Sequence, residues 1–214
     1  MTVRDRILRR LERFIDDESG TTLVEFAVVF VLFLVLMFAL VDFGRLAYRF
    51  VVADKAMQIA ARVATVRPAA CPGVPETYSR GPSTVTPPYR FGTSCRDDAG
   101  ICQNPGTITC AGDANDPTAT EVWGRISGLL PGDATIQNLQ FSYRYDENLG
   151  FLGGPYTPVV TVELQNLDFQ FIHPLGSLLS MTGATATFQD NLSIPFPSMS
   201  TSLPGEDLAQ GTNG

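Results

Sequence analysis

The sequence predicts an α+β protein. One long N-terminal helix, membrane-embedded in its first half and amphipathic in its second, would pack on a small antiparallel sheet. Three observations predict this. Phe26 to Val41 is an unbroken apolar run. An apolar stripe continues beyond it at helical spacing, with no proline before Pro68. Two later segments alternate apolar and polar residues, the mark of half-buried strands.

Residues 1–20 read as a leader. Ile7, Leu11, Phe14 and Ile15 recur at helical spacing among Arg4, Arg6, Arg9, Arg10 and Arg13, a pattern suited to a membrane surface. Asp16-Asp17-Glu18-Ser19-Gly20 breaks it.

Residues 21–41 read as a transmembrane helix. The run Phe26–Val41 holds thirteen Leu, Val or Phe residues plus Ala27, Met37 and Ala39. At roughly −0.3 to −0.6 kcal/mol each, the strong apolar residues favour insertion by about 4 to 8 kcal/mol. Glu25, near one edge, costs at most about 3 kcal/mol. From Leu23 to Val41 a helix rises about 28 Å, close to the roughly 30 Å of bilayer hydrocarbon. A secretory signal has a shorter apolar part and a small-x-small cleavage site, which Val41-Asp42-Phe43-Gly44-Arg45 does not offer. A soluble core helix is rarely apolar on every side for four turns. Five arginines precede the span, whereas Arg45, Arg49 and Lys55 follow it, so the N-terminus is expected in the cytoplasm and everything after Val41 outside it.

Residues 42–66 continue the helix. Phe43, Leu46, Ala47, Phe50, Ala53, Met57, Ala60 and Ala64 share one face, with Arg45, Arg49, Asp54, Lys55, Gln58 and Arg62 elsewhere. Pro68 disfavours helix at Arg67. A single helix from Thr21 to Val66 would be roughly 69 Å long, and its second half needs a sheet to cover it.

Residues 67–117 carry eight of the chain's fifteen prolines and lack sustained periodicity. They also hold all four cysteines, Cys71, Cys95, Cys102 and Cys110. An even number in an exported region reads as two disulfides, with three connectivities open. Zinc is disfavoured because no pair has metal-ligand spacing and the single histidine, His173, is distant.

Residues 118–194 form the C-terminal α+β part. Val122, Trp123, Ile126, Leu129 and Leu130 suggest a short helix over 118–130, ended by Pro131-Gly132. Strands are expected at Ile136–Tyr145, Pro158–Leu167 and Ala184–Phe188, the first two forming a hairpin through the Gly-rich stretch Asn148–Pro155. Residues 195–214 read as a polar, flexible tail. With leader and span removed, about 150 residues remain, one domain by size.

Composition and motifs argue against catalysis and nucleic-acid binding. The net charge of −7 gives no reason to expect nucleic-acid binding, and Lys55 is the only lysine. His173 precedes Pro174 in a Phe-rich stretch and reads as structural, leaving no base for a nucleophile. No phosphate loop, zinc-protease or nucleophile-elbow motif occurs. Asp113-Ala114-Asn115-Asp116 lacks the Gly and distal Glu of a calcium loop and reads as a turn. Asn191-Leu192-Ser193 fits the glycosylation pattern, a frequent chance match. No metal or cofactor is expected.

Gly20-Thr21-Thr22-Leu23-Val24-Glu25-Phe26-Ala27, the apolar run, Val41-Asp42-Phe43-Gly44-Arg45 and the alanines Ala56, Ala60, Ala61 and Ala64 resemble the TadE/TadG-like pseudopilins of tight-adherence (Flp-type) pilus systems. Pro174-Leu175-Gly176 and Thr182-Gly183-Ala184-Thr185-Ala186 resemble that family's closing loop and strand. The strong part of the likeness covers residues 20–66. Two features depart from it. Phe26 stands where Flp-type pilins commonly have Tyr, and the run lacks the proline many relatives carry near Val31.

The resemblance implies a pilin-like fold and an inner-membrane location. It also implies cleavage between Gly20 and Thr21 by an aspartic prepilin peptidase. Its further partners would be other pilin and pseudopilin subunits and the pilus assembly platform. Subunit pairing would rest on Glu25 and Phe26. The expected function is that of a minor pseudopilin in pilus priming, assembly or surface attachment. The competing expectation is an uncleaved single-pass anchor carrying a periplasmic binding or structural module.

Overall fold

The structure, a computed structural model, describes residues 20–170, 193–206 and 208. The leader before Gly20, His173, the family-like stretch 174–186, the strand expected at 184–188 and most of Asn191-Leu192-Ser193 lie outside the described residues. The chain divides into two compact units. One comprises residues 1–45 and 171–192, the other residues 46–170 and 193–214.

Helix α1 (Thr21–Ala64) is continuous across 44 residues. It has no internal proline or cap-forming break, and it stops where the chain turns towards Pro68. In the first unit its surface is mostly exposed apolar side chain, with Asp42 buried. In the second unit Ala53, Ala56, Met57, Ala60, Ala61 and Ala64 are buried. These small residues let the second half of α1 pack closely against a small four-stranded antiparallel sheet, giving the expected α+β arrangement.

That sheet has the order β1-β2-β3-β6, built from β1 (Thr107–Ala111), β2 (Leu139–Arg144), β3 (Val159–Leu164) and β6 (Met199–Pro204). Register explains the core. Phe141 lies between Cys110 and Val162, Tyr143 between Ile108 and Val160, and Leu139 beside Leu164. Met199, Thr201 and Leu203 extend this face against Leu164, Val162 and Val160. The other face carries Thr109, Ser142, Thr161 and Ser202, with the Thr161 and Ser202 hydroxyls 2.8 Å apart. Alternation at period two has thus separated an apolar layer from a polar one. Two further strands, β4 (Asp168–Gln170) and β5 (Ser193–Pro195), pair antiparallel as a separate ribbon. Beyond β5, Phe196 stacks on Phe50 of α1 with ring centroids 5.0 Å apart.

Helix α2 (Pro117–Ile126) begins where its sequence says it should. The Asp116 side chain accepts from the Ala119 N–H, and Pro117 fills the first helical position. A 3-10 turn, Ser127–Leu129, follows. The segment joining α1 to the sheet is tied down by polar bonds. Ala70 N–H donates to the Tyr143 hydroxyl at 2.9 Å, and the Thr118 hydroxyl donates to Pro68 O at 2.8 Å.

Three details differ from the sequence reading. Residues 199–204, expected in a flexible tail, form β6. Its Ser-rich composition hides a strand because an edge strand needs only backbone pairing and a half-covered apolar face. The region 67–117, expected to be irregular, contributes β1, whose five residues are too few to show periodicity. Ile136–Asn138 is a 3-10 turn rather than the start of β2. There Thr135 and Asn138 satisfy each other's backbone groups in a capping box, which competes with the ladder.

Candidate functional site

The site is the start of α1. Gly20 stands at its entrance, and a Cβ built there meets no atom within 4 Å. Packing therefore does not demand glycine at this position. Glu25 lies on the second turn and is exposed. Among the described residues its carboxylate has no ion-pair or hydrogen-bond partner within the chain.

Around it the helix is apolar on every side. Leu23 is 72% exposed and Phe26 68%. Phe26 stacks on Phe30 with centroids 5.7 Å apart, one turn along. Exposure continues through Phe33, Leu36, Leu40 and Val41. The most apolar 18-residue window of α1 has mean hydropathy 3.0 and none of it is buried within the chain. At about 25 cal/mol per Å² of apolar surface, water is a poor solvent for such a helix, and lipid or neighbouring apolar helices are good ones. Length, composition and exposure together are those of a membrane anchor. Asp42 and Arg45 close the apolar stretch, with the guanidinium reaching back one turn to the carboxylate at 3.4 Å.

The four cysteines lie in the other unit, and the structure resolves their pairing as Cys71–Cys110 and Cys95–Cys102. The first ties the segment after α1 to β1. The second sits in a small core of its own, formed with Tyr78, Ile101, Leu152 and Tyr156. Sequence reasoning missed this second core. Its aromatic residues are scattered through Pro- and Gly-rich stretches and come together only because the β2–β3 connection folds back. Leu152 and residues 92–93 exchange backbone hydrogen bonds of 2.9 Å. Gly150 makes the approach possible. Its φ is +90°, and a side chain there would collide with the Tyr78 ring.

The remaining polar candidates have structural partners. Asp113 Oδ1 accepts from the backbone and side-chain N–H groups of Asn115 at 2.9 Å, a turn that positions Asp116 as the cap of α2. Burial pushes the Tyr143 hydroxyl up to about 12, against the hydrogen bond from Ala70. Among the described residues no group of three His, Cys, Asp or Glu side chains is placed to hold a metal.

The structure therefore brings Gly20, Thr21, Glu25 and Phe26 together on one helix end and places the cysteines in a separate, stapled region. A comparison with protein families matches the first of these. The model described as TadE-like protein covers residues 20–62, starting at Gly20 itself and ending within the buried alanine stripe. No curated protein and no solved structure matches the chain.

Proposed function

We propose that this chain, whose residues 20–62 are a TadE-like segment, is a minor pseudopilin of a tight-adherence (Flp-type) pilus system. The match and the apolar helix support a Tad pilus-related membrane protein with a single anchoring helix. The finer reading rests on the helix entrance. A glycine that, among the described residues, no neighbour crowds is followed by an exposed Glu25 with no partner among them, and then by apolar surface.

The mechanism follows from charge. Cleavage by a prepilin peptidase after Gly20 creates an ammonium group on Thr21 and makes Glu25 the fifth residue. When helices bundle, the carboxylate leaves the headgroup boundary for an apolar environment, where an uncompensated charge costs several kcal/mol. The new ammonium of an adjacent subunit compensates it. That pair sets the axial offset between subunits while Phe, Leu and Val side chains supply contact area. The N-terminus lies on the cytoplasmic side of the inner membrane and the stapled domain on the other. The large second unit suits a priming or tip subunit better than a repeating one, because it would make every turn of a fibre bulky.

N-terminal sequencing of the membrane-extracted protein tests the processing step. A chain beginning at Thr21 agrees with it; one beginning at Met1 leaves an uncleaved anchor holding a periplasmic module. For the pairing step, Glu25→Gln and Glu25→Ala are expected to abolish pilus assembly and adhesion while membrane insertion persists. Wild-type levels of pili in both variants would remove Glu25 from the mechanism.

A further inference from the structure

The four-stranded sheet ends in two edges, and the ladder fixes which backbone groups each one presents. Gly112 N–H donates to Leu139 O at 2.8 Å and Tyr145 N–H to Gly106 O at 3.3 Å. With the antiparallel register, this turns Gly106, Ile108, Cys110 and Gly112 towards β2. Thr107, Thr109 and Ala111 therefore direct their N–H and C=O groups outward. Those three residues are exposed, and among the described residues nothing bonds to their outward groups. At the opposite edge Gly205 N–H donates to Pro158 O at 2.7 Å, so Ser200, Ser202 and Pro204 face outward. Pro204 has no N–H to offer.

Exposed edges are ordinarily blunted by charge, proline or a bulge, because they template pairing with another strand. The β6 edge carries a proline. The β1 edge, Thr107–Ala111, carries neither charge nor proline.

We infer that β1 docks on β1 of a second copy of this chain, antiparallel, about a two-fold axis through Thr109. The match is internal to the strand. With Thr109 opposite Thr109 of the partner subunit, Thr107 faces the partner's Ala111 and Ala111 faces the partner's Thr107. All three outward residues on each side offer one donor and one acceptor, giving six backbone hydrogen bonds with none left over. The strand is uncharged, so self-pairing opposes no like charges. On the inner face, half-buried Ile108 and Cys110 meet the partner's Cys110 and Ile108 and continue the apolar layer. Two four-stranded sheets become one of eight. A β6–β6 contact lacks the proline donor, and an unrelated strand has no such built-in symmetry.

Cross-linking of the full chain in mild detergent tests this. Opposed residues of a hydrogen-bonded antiparallel pair lie about 5.5 Å apart at Cα, within the range a disulfide spans. Thr109→Cys is expected to yield a dimer on a non-reducing gel, with the 109–109 peptide identified by mass spectrometry. Thr107→Cys alone is expected to give at least tenfold less, whereas mixing it with Ala111→Cys restores the dimer. Thr109→Lys places two ammonium groups at the axis on the exposed face. It should convert the protein to a monomer by light scattering, with unchanged circular dichroism. A wild-type monomer at tens of micromolar, a dimer that survives Thr109→Lys, or cross-linking through Ser202→Cys in place of Thr109→Cys would each overturn the inference.

Discussion

Glu121 sits between two guanidinium groups. Arg67 Nε donates to it at 2.7 Å and Arg125 Nη2 at 2.8 Å. These hydrogen bonds, Arg67 first, hold its carboxyl down at about 2, well below the usual carboxylate range. The lowered value lies in the folded state, so the contribution is complete above the unfolded value of about 4.3 and fades as pH falls from there through about 2. Partial exposure keeps the effect small. Glu121→Gln is expected to lower the Tm of the detergent-solubilised chain by roughly 2 °C at pH 7. The difference from wild type should vanish towards pH 2, as differential scanning fluorimetry across that range would report. This ion pair was not legible beforehand, because Arg67 and Glu121 are 54 positions apart and look like ordinary surface charges. The same limit applies to the cysteines: spacing left three pairings open, and only the approach of residue 71 to β1 decides between them. The place of Gly20 and Glu25 at the entrance of α1 was legible because it depends only on order along one helix.

At the scale of elements, α1 changes character along its length while its backbone does not. The first half is built from large apolar residues that are mostly exposed, the second from alanines buried in a core. Ala56, Ala60 and Ala64 are fully buried at helical spacing, so Cβ is the largest group the interface accepts. Ala60→Leu is expected to destabilise the protein by about 1–3 kcal/mol through overpacking. The same change at Val51, which is 71% exposed, should cost under about 0.5 kcal/mol. Urea denaturation of both variants makes the comparison. The helix, the hairpin of β2 and β3, and α2 were all readable from periodicity and punctuation. β1 and β6 were not, since a five-residue strand and a Ser-rich edge strand owe their form to neighbours rather than to their own composition.

At the scale of the molecule, two staples of very different reach hold the irregular region. Cys71–Cys110 closes a separation of 39 residues and Cys95–Cys102 one of 7. In the chain-entropy account, the longer loop restricts the unfolded chain more, giving about 4 kcal/mol against about 2.5 kcal/mol. Replacing the first pair by serines is therefore expected to lower the unfolding free energy by about 1.5 kcal/mol more than replacing the second. Equal losses in parallel urea titrations would contradict that ordering. The second core around Tyr78 and Tyr156 offers a reason for the short staple, since it lacks any regular strand to organise it.

The fourth strand of the sheet reaches β3 only after the chain has run from Leu164 to Met199, 35 positions on. During synthesis from the amino end, Val160, Val162 and Leu164 emerge long before Met199, Thr201 and Leu203 arrive beside them. A ribosome that stalls or terminates anywhere in between releases a product whose third strand is bare along its whole flank. Quality-control proteases would meet such a fragment as an unfinished sheet, so premature stop codons after residue 164 should be no better tolerated than those much earlier.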